Sequence, residues 1–233
     1  MFKCYGDSIT KGSPGVSYLW YMPKRRNYIN LGLGGETLIG LDRRLSDDIE
    51  KNDKVDYLIQ IGTNDILLPF LSSYSKEWRK RVDVIYRRGS IPCENEKRFE
   101  EIYTKMIKKF VITKRRIIII GIPCIGEDLQ SELNQRVDEY NRIIQKISSE
   151  FGADHIDFFS LQKSILRGKD IKDPYFISSN PNDMIKDVFL SLFKPFREKI
   201  SISRDLHLTI DGCHLNDTGA RALAELLDKA VNK

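Results

Sequence analysis

The run Ile117-Ile118-Ile119-Ile120, bounded by Arg116 and Gly121, narrows the fold more than any other stretch of this 233-residue chain. Four consecutive β-branched residues favour a strand, and a strand apolar at every position must be covered on both faces. Such strands belong to parallel sheets with helices packed on either side. The surrounding segments agree. Phe2 and Cys4-Tyr5 read as a short first strand, Tyr28-Ile29-Asn30-Leu31 as a second, residues 55–61 as a third, and His155-Ile156-Asp157-Phe158 as a fifth. Between them lie helical patterns with apolar residues at steps of three and four. Leu38, Leu41, Leu45 and Ile49 form one; Phe99, Ile102, Tyr103, Met106, Ile107 and Phe110 a second; Leu133, Val137, Tyr140, Ile144, Ile147 and Phe151 a third. Asn216 is a good N-cap for a last helix buried through Ala220, Leu223, Leu227 and Ala230. The expected fold is α/β, a three-layer sandwich with a five-stranded parallel sheet and helices on both faces. No linker divides it, so residues 1–233 are expected to form one domain.

Two regions are less regular. Residues 66–95 contain Pro69, Phe70, Tyr74 and Trp78, with a helix expected only around 76–88. Residues 160–205 contain the turn Asn180-Pro181-Asn182-Asp183 and then Met184, Val188, Leu192 and Phe196, which could share a face, although Pro195 should end that helix. Residues 16–26 read as a short helix interrupted near Pro23.

Composition excludes several classes. A net charge of +5 is too small to argue for nucleic acid. The basic clusters between Lys76 and Arg88 and at Lys114-Arg115-Arg116 read as a solvated helix face and a charged turn. No stretch approaches the roughly 20 apolar residues that span a bilayer. Cys4, Cys93, Cys124 and Cys213 are scattered, as reduced thiols would be, and a cytoplasmic location is expected. Three histidines without metal-ligand spacing suggest no metal site.

The chemistry collects where strands end. In an open parallel sheet, ligands bind beyond the carboxyl ends of the strands. Three strands end there in polar glycine loops: Gly6-Asp7-Ser8, Gly34-Gly35-Glu36 and Gly62-Thr63-Asn64-Asp65. A fourth element, Asp211-x-x-His214, precedes the last helix. Serine, histidine and aspartate are the parts of an activated nucleophile, and a glycine amide with an asparagine side chain suits an oxyanion. Each loop also has a plain reading as a turn or cap.

Gly6-Asp7-Ser8-Ile9 resembles the first block of the SGNH, or GDSL, hydrolases. Residues 30–37, Gly62-Thr63-Asn64-Asp65 and residues 211–216 resemble the second, third and fifth blocks, in family order. The resemblance implies a flavodoxin-like sheet and cofactor-free ester hydrolysis. It casts Ser8 as nucleophile, His214 as base and Asp211 as its orienting partner, with Ser8, Gly35 and Asn64 as oxyanion donors. Asp7 and Asp65 read as structural. His207 is the rival base, though the D-x-x-H spacing favours His214; His155 reads as structural and Cys213 as a bystander. The expected substrate is a short-chain acyl ester or an acylated carbohydrate, since no extended apolar lid is evident. Acyl transfer with the same residues, or a non-catalytic binding module, are the alternatives. Phe70, Tyr74 and Trp78 either wall the substrate or cover the sheet edge, while Lys76, Arg79, Lys80 and Arg81 could attract an anion. Oligomeric state is not legible.

Overall fold

A computed structural model of the chain describes residues 1–50, 55–169, 171 and 175–232. The expected strands are present and parallel: β1 Phe2–Gly6, β2 Tyr28–Gly32, β3 Asp56–Gln60, β4 Ile117–Ile120 and β5 Asp154–Ile156. Their spatial order is β2-β1-β3-β4-β5. This is the flavodoxin-like order, in which the chain runs outward from β1 to one edge and then returns to build the other half.

The isoleucine run explains how the layers hold together. Side chains alternate across a strand, and the two faces of β4 enter different cores. Ile117 and Ile119, with Tyr57 and Ile59 of β3, pack on one face. Ile118 and Ile120, with Leu58, pack on the other. The first face is covered by α2 (Leu38–Ile49), α5 (Glu96–Thr113) and α6 (Glu132–Phe151) through the apolar stripes named above. The second is covered by α10 (Asp217–Val231), through Ala220, Leu223 and Leu227, and by Ile9 of the short α1 (Ser8–Lys11).

The less regular regions prove more ordered than their sequences suggest. A helix, α3 (Thr63–Tyr74), begins directly at the end of β3 and carries Pro69 inside it. Proline removes one helical hydrogen bond, but Ile66, Leu67, Leu68 and Leu71 are all buried and hold the helix by packing. Next comes α4 (Lys76–Arg87), capped by Ser75. Its Trp78 is buried and donates its indole N–H to Ser178 O at 2.7 Å. Arg79, Lys80 and Arg81 lie on its solvated face. Residues 16–26 form two 3-10 turns, Tyr18–Trp20 and Arg25–Asn27, in place of one helix.

The last expected strand is shorter than its sequence suggests. Asp157 leaves the sheet to cap α7 (Phe158–Leu166), accepting from Ser160 N. The stretch 160–205 is described except for residues 170 and 172–174. Its apolar residues do not share one helix: α8 (Pro181–Leu190) ends before α9 (Lys194–Ser203) begins. Pro195 starts α9 because its fixed φ suits a first turn, where no N–H acceptor is needed. Arg197 of α9 is bound to Asp217 of α10 at 2.7 Å, and Arg204 to Asp187 of α8 at 2.9 Å. The turn between α8 and α9 leaves Phe189, Leu192 and Phe193 exposed, an apolar tip not recognised in the sequence.

Replacing Leu45, which is fully buried beneath α2, with alanine should cost about 2–5 kcal/mol by leaving a cavity. A lower urea midpoint with unchanged slope would show it.

Candidate active site

The site begins at the change of direction between β1 and β3. Gly6 ends β1 where the chain must pass close to β3. A Cβ at this position would lie 2.5 Å from Gln60 O and 2.3 Å from Thr10 Oγ1, so no side chain fits. Asp7, fully buried, caps α1 by accepting from Ile9 N at 2.8 Å. Ser8, the first helical residue, therefore sits at the sheet edge. Its N–H belongs to the first turn, where helices leave donors unpaired.

From the other end of the sequence, Asp211-Gly212-Cys213-His214 folds back onto this turn. Asp211 Oδ1 accepts from Cys213 N at 3.0 Å and His214 N at 2.8 Å, which closes the loop on itself. Its Oδ2 meets His214 Nδ1 at 2.7 Å, and His214 Nε2 meets Ser8 Oγ at 2.9 Å. Ser8, His214 and Asp211 thus form one hydrogen-bonded line across 206 residues of sequence. His207 takes no part in it; it lies upstream, where its N–H is bound to Glu127. His155 sits within β5, and Cys213 is buried behind the loop.

Electrostatics divide the roles of the buried groups. Burial alone would raise the Asp211 pKa, but the adjacent His214 outweighs it and holds the carboxyl below its ordinary value. Burial alone would lower His214, but the Asp211 charge and hydrogen bond raise it above the ordinary imidazole value. Asp7 and Asp65 are different. Burial pushes both up to about 6, with the opposing hydrogen bonds from Ile9 to Asp7, and from Cys93 and Leu38 to Asp65, too weak to prevent it.

The other two loops lie beside Ser8. Leu33 N donates to Gly6 O at 2.9 Å, which pins the loop after β2 to the end of β1. Gly35 has φ +79°, a conformation that glycine adopts without strain. Among the described residues its N–H has no hydrogen-bond acceptor. Asn64, in the first turn of α3, donates through Nδ2 to Glu36 O at 2.9 Å. That bond uses one of the two amide hydrogens. Asp65 ties the same loops together, accepting from Leu38 N and from Cys93 N at 2.9 Å each.

One supporting residue had no sequence signal. Glu127 follows a glycine in a loop, a position that ordinarily reads as exposed, yet it is buried. Its carboxylate accepts from His207 N, Leu208 N and Thr209 N at 2.8–2.9 Å and from Thr209 Oγ1 at 2.6 Å. This holds the segment that delivers Asp211 and His214. Among the described residues no group of His, Cys, Asp and Glu is arranged to hold a metal ion.

The family model of the GDSL-like Lipase/Acylhydrolase family matches residues 4–222. The chain belongs to that family. It is accordingly an esterase acting on carboxylic ester bonds. Solved structures similar to this GDSL-family chain include the acetyl xylan esterase AlAXEase, with TM-score 0.62 and 21% identity over 99% of this chain and 100% of that one. Axe2, an acetylxylan esterase from Geobacillus stearothermophilus, matches with TM-score 0.64 and 17% identity over 100% and 94%. A lipolytic protein of the G-D-S-L family from Veillonella parvula matches with TM-score 0.60 and 18% identity over 100% and 98%. Among curated protein sequences none matches.

Removing the Glu127 carboxylate leaves buried donors unpaired, so Glu127→Ala should cost at least about 3 kcal/mol. Chemical denaturation measures this.

The two high carboxyl pKa values give an unusual pH dependence. Asp7 and Asp65 keep protons near pH 5 in the folded chain that they lose in the unfolded chain, where the ordinary value is 3.8. Their contribution to stability is complete below about pH 4 and is lost as pH rises through about 6. Asp7→Asn retains the acceptor for Ile9 N but cannot ionise. The variant should show a less negative slope of unfolding free energy against pH between about 4 and 6.

Proposed function

We propose that Ser8 is the nucleophile of a serine esterase cleaving short-chain or O-acetyl esters, with His214 as base and Asp211 as its orienting partner. The observation that carries this is the continuous line from Asp211 Oδ2 through the His214 ring to Ser8 Oγ. A serine hydroxyl is a weak nucleophile until a base takes its proton. Here Nε2 lies 2.9 Å from that proton's oxygen.

In the proposed reaction, Ser8 Oγ attacks the ester carbonyl carbon as its proton passes to His214 Nε2. Asp211 stabilises the imidazolium that forms. The carbonyl oxygen becomes an oxyanion, and the Ser8 N–H, the Gly35 N–H and the second hydrogen of Asn64 Nδ2 receive it. Collapse breaks the bond to the alcohol oxygen, which leaves with the proton from Nε2. Water, deprotonated by the same nitrogen, then attacks the acyl-serine carbonyl; the bond to Oγ breaks, Ser8 Oγ takes the proton back from Nε2, and the carboxylic acid leaves.

The acylated carbohydrate as substrate draws support from the acetylxylan esterases with this fold. The proposed setting is a single catalytic domain in the cytoplasm. Four buried, unpaired cysteines support that location.

Ser8→Ala should lower hydrolysis of 4-nitrophenyl acetate by about 10⁴–10⁶-fold and abolish labelling by a fluorophosphonate probe. Equal rates for the two proteins would end the proposal. Asn64→Ala should lower kcat about 10²–10³-fold.

The pH profile is a separate check. His214 must be neutral to accept a proton, and its raised pKa places the acid limb of kcat/KM above about pH 6.5. Asp211→Asn should move that limb to lower pH and reduce the rate about 10⁴-fold. A limb below the ordinary imidazole value in the parent protein would contradict the assignment.

A further inference from the structure

One cavity lies apart from Ser8, His214 and Asp211. It is a groove of about 730 Å³ between α3, the loop after β4, the start of α6 and residue 176. That size falls within the roughly 300–1,000 Å³ of small-molecule sites. Its wall is nevertheless built on the triad loop. Gly126 N donates to Gly212 O at 2.6 Å, and Ile177 N donates to Asp211 O at 3.1 Å. Gly212 also lies under the Phe176 ring, closely enough that a Cβ there would meet the ring at 2.9 Å.

The lining has two characters. Phe70 and Phe176 meet edge to face at 5.8 Å, and Phe70 is backed by Tyr74 in a stacked pair at 5.3 Å. These rings, with Leu133, make an apolar wall. Asp128, Glu132 and Arg136 supply charge elsewhere around the same groove. Arg136 lies 3.9 Å from Glu96 Oε1.

This lining discriminates between ligands. A fatty acyl chain would cover the half-buried Arg136 and offer no hydrogen bond to it or to the exposed Asp128 and Glu132, which is costly for the guanidinium. A phosphate-rich ligand would face two carboxylates. A pyranose ring has an apolar C–H face to lie against phenylalanine and a rim of hydroxyls. Those hydroxyls donate to carboxylates and accept from a guanidinium.

We infer that the groove bordered by Phe70, Phe176, Asp128, Glu132 and Arg136 binds the sugar rings of an acylated oligosaccharide beyond the ring whose ester is cleaved at Ser8. The inference rests on the proposed esterase reading for its link to Ser8, but sugar binding by the groove can be tested without any ester. It also gives Phe70 a role that Trp78, sealed beneath α4, does not have.

The test has two arms. In the first, Ser8→Ala protein is titrated with unesterified neutral tetrasaccharides (xylo-, cello- and chito-tetraose) and with decanoate, read by calorimetry and by NMR shifts. At least one tetrasaccharide should bind, and adding Phe70→Ala or Arg136→Ala should weaken it tenfold or more. In the second, kcat/KM for an acetylated oligosaccharide is compared with that for 4-nitrophenyl acetate. Phe70→Ala, Asp128→Ala and Arg136→Ala should each lower the ratio tenfold or more. Circular dichroism and thermal melts confirm folding, and the two charge variants serve if Phe70→Ala does not fold.

No tetrasaccharide binding, binding indifferent to all these variants, or decanoate binding in the groove in place of sugar would overturn the inference. So would an unchanged ratio. An inactive enzyme that still binds sugar through these residues would count against the esterase reading alone. An active one that binds none would count against the groove alone.

Discussion

Buried carboxylates that accept backbone N–H groups hold the reacting edge of this molecule together. Where the strands end, the sheet ladder stops, and each loop presents donors that must be satisfied once water is excluded. Asp7, Asp65, Glu127 and Asp211 meet that requirement, each taking one or more main-chain N–H groups. Asp65 and Glu127 join segments far apart in sequence. Three helix amides extend the scheme to the segment after β4: Asn141 to Ile122 N, Gln162 to Cys124 N, and Asn134 to Ile125 N. The loop that carries Asp211 and His214 is therefore suspended from fixed points elsewhere in the chain.

Three of these acids, Asp7, Asp65 and Asp211, are chemically unequal, and the difference comes from their partners. Asp211 faces an imidazole that can become charged, so its ionised form is favoured. Asp7 and Asp65 receive only neutral donors at close range and are held towards the protonated form by burial. Groups in one site whose environments drive their pKa values apart can perform different tasks. A single anion next to the histidine keeps the imidazole oriented. Further full charges at Asp7 and Asp65 would add to the cost of assembling the edge.

How much of this was legible follows from the range of each interaction. The strands and the helices α2, α5, α6 and α10 announce themselves because alternation and three-to-four spacing are local. The strand-end loops were legible because glycine, serine, asparagine and aspartate in short order mark the places where a backbone turns and a side chain can act. Glu127 was not legible: its partners lie some 80 residues away, and nothing near it in sequence distinguishes a buried glutamate from an exposed one. Pro195 misled for a related reason. Proline ends one helix or begins another according to the neighbouring turn, and that turn carries a long-range bond, the Ser191 hydroxyl accepting from the distant Gly15 N at 3.1 Å. The helix at Thr63 was hidden by Pro69, whose local penalty is outweighed by tertiary burial of the surrounding leucines.

The distance in sequence between Ser8 and His214 has a consequence for biosynthesis. Ser8 and the His214 proposed to activate it are 206 residues apart, so synthesis delivers the serine long before the imidazole. Throughout most of synthesis the serine is an ordinary alcohol. On the proposed roles, activation of Ser8 waits until the loop bearing Asp211 and His214 docks on the first turn. Under that proposal, activity would report that both ends of the described fold have come together.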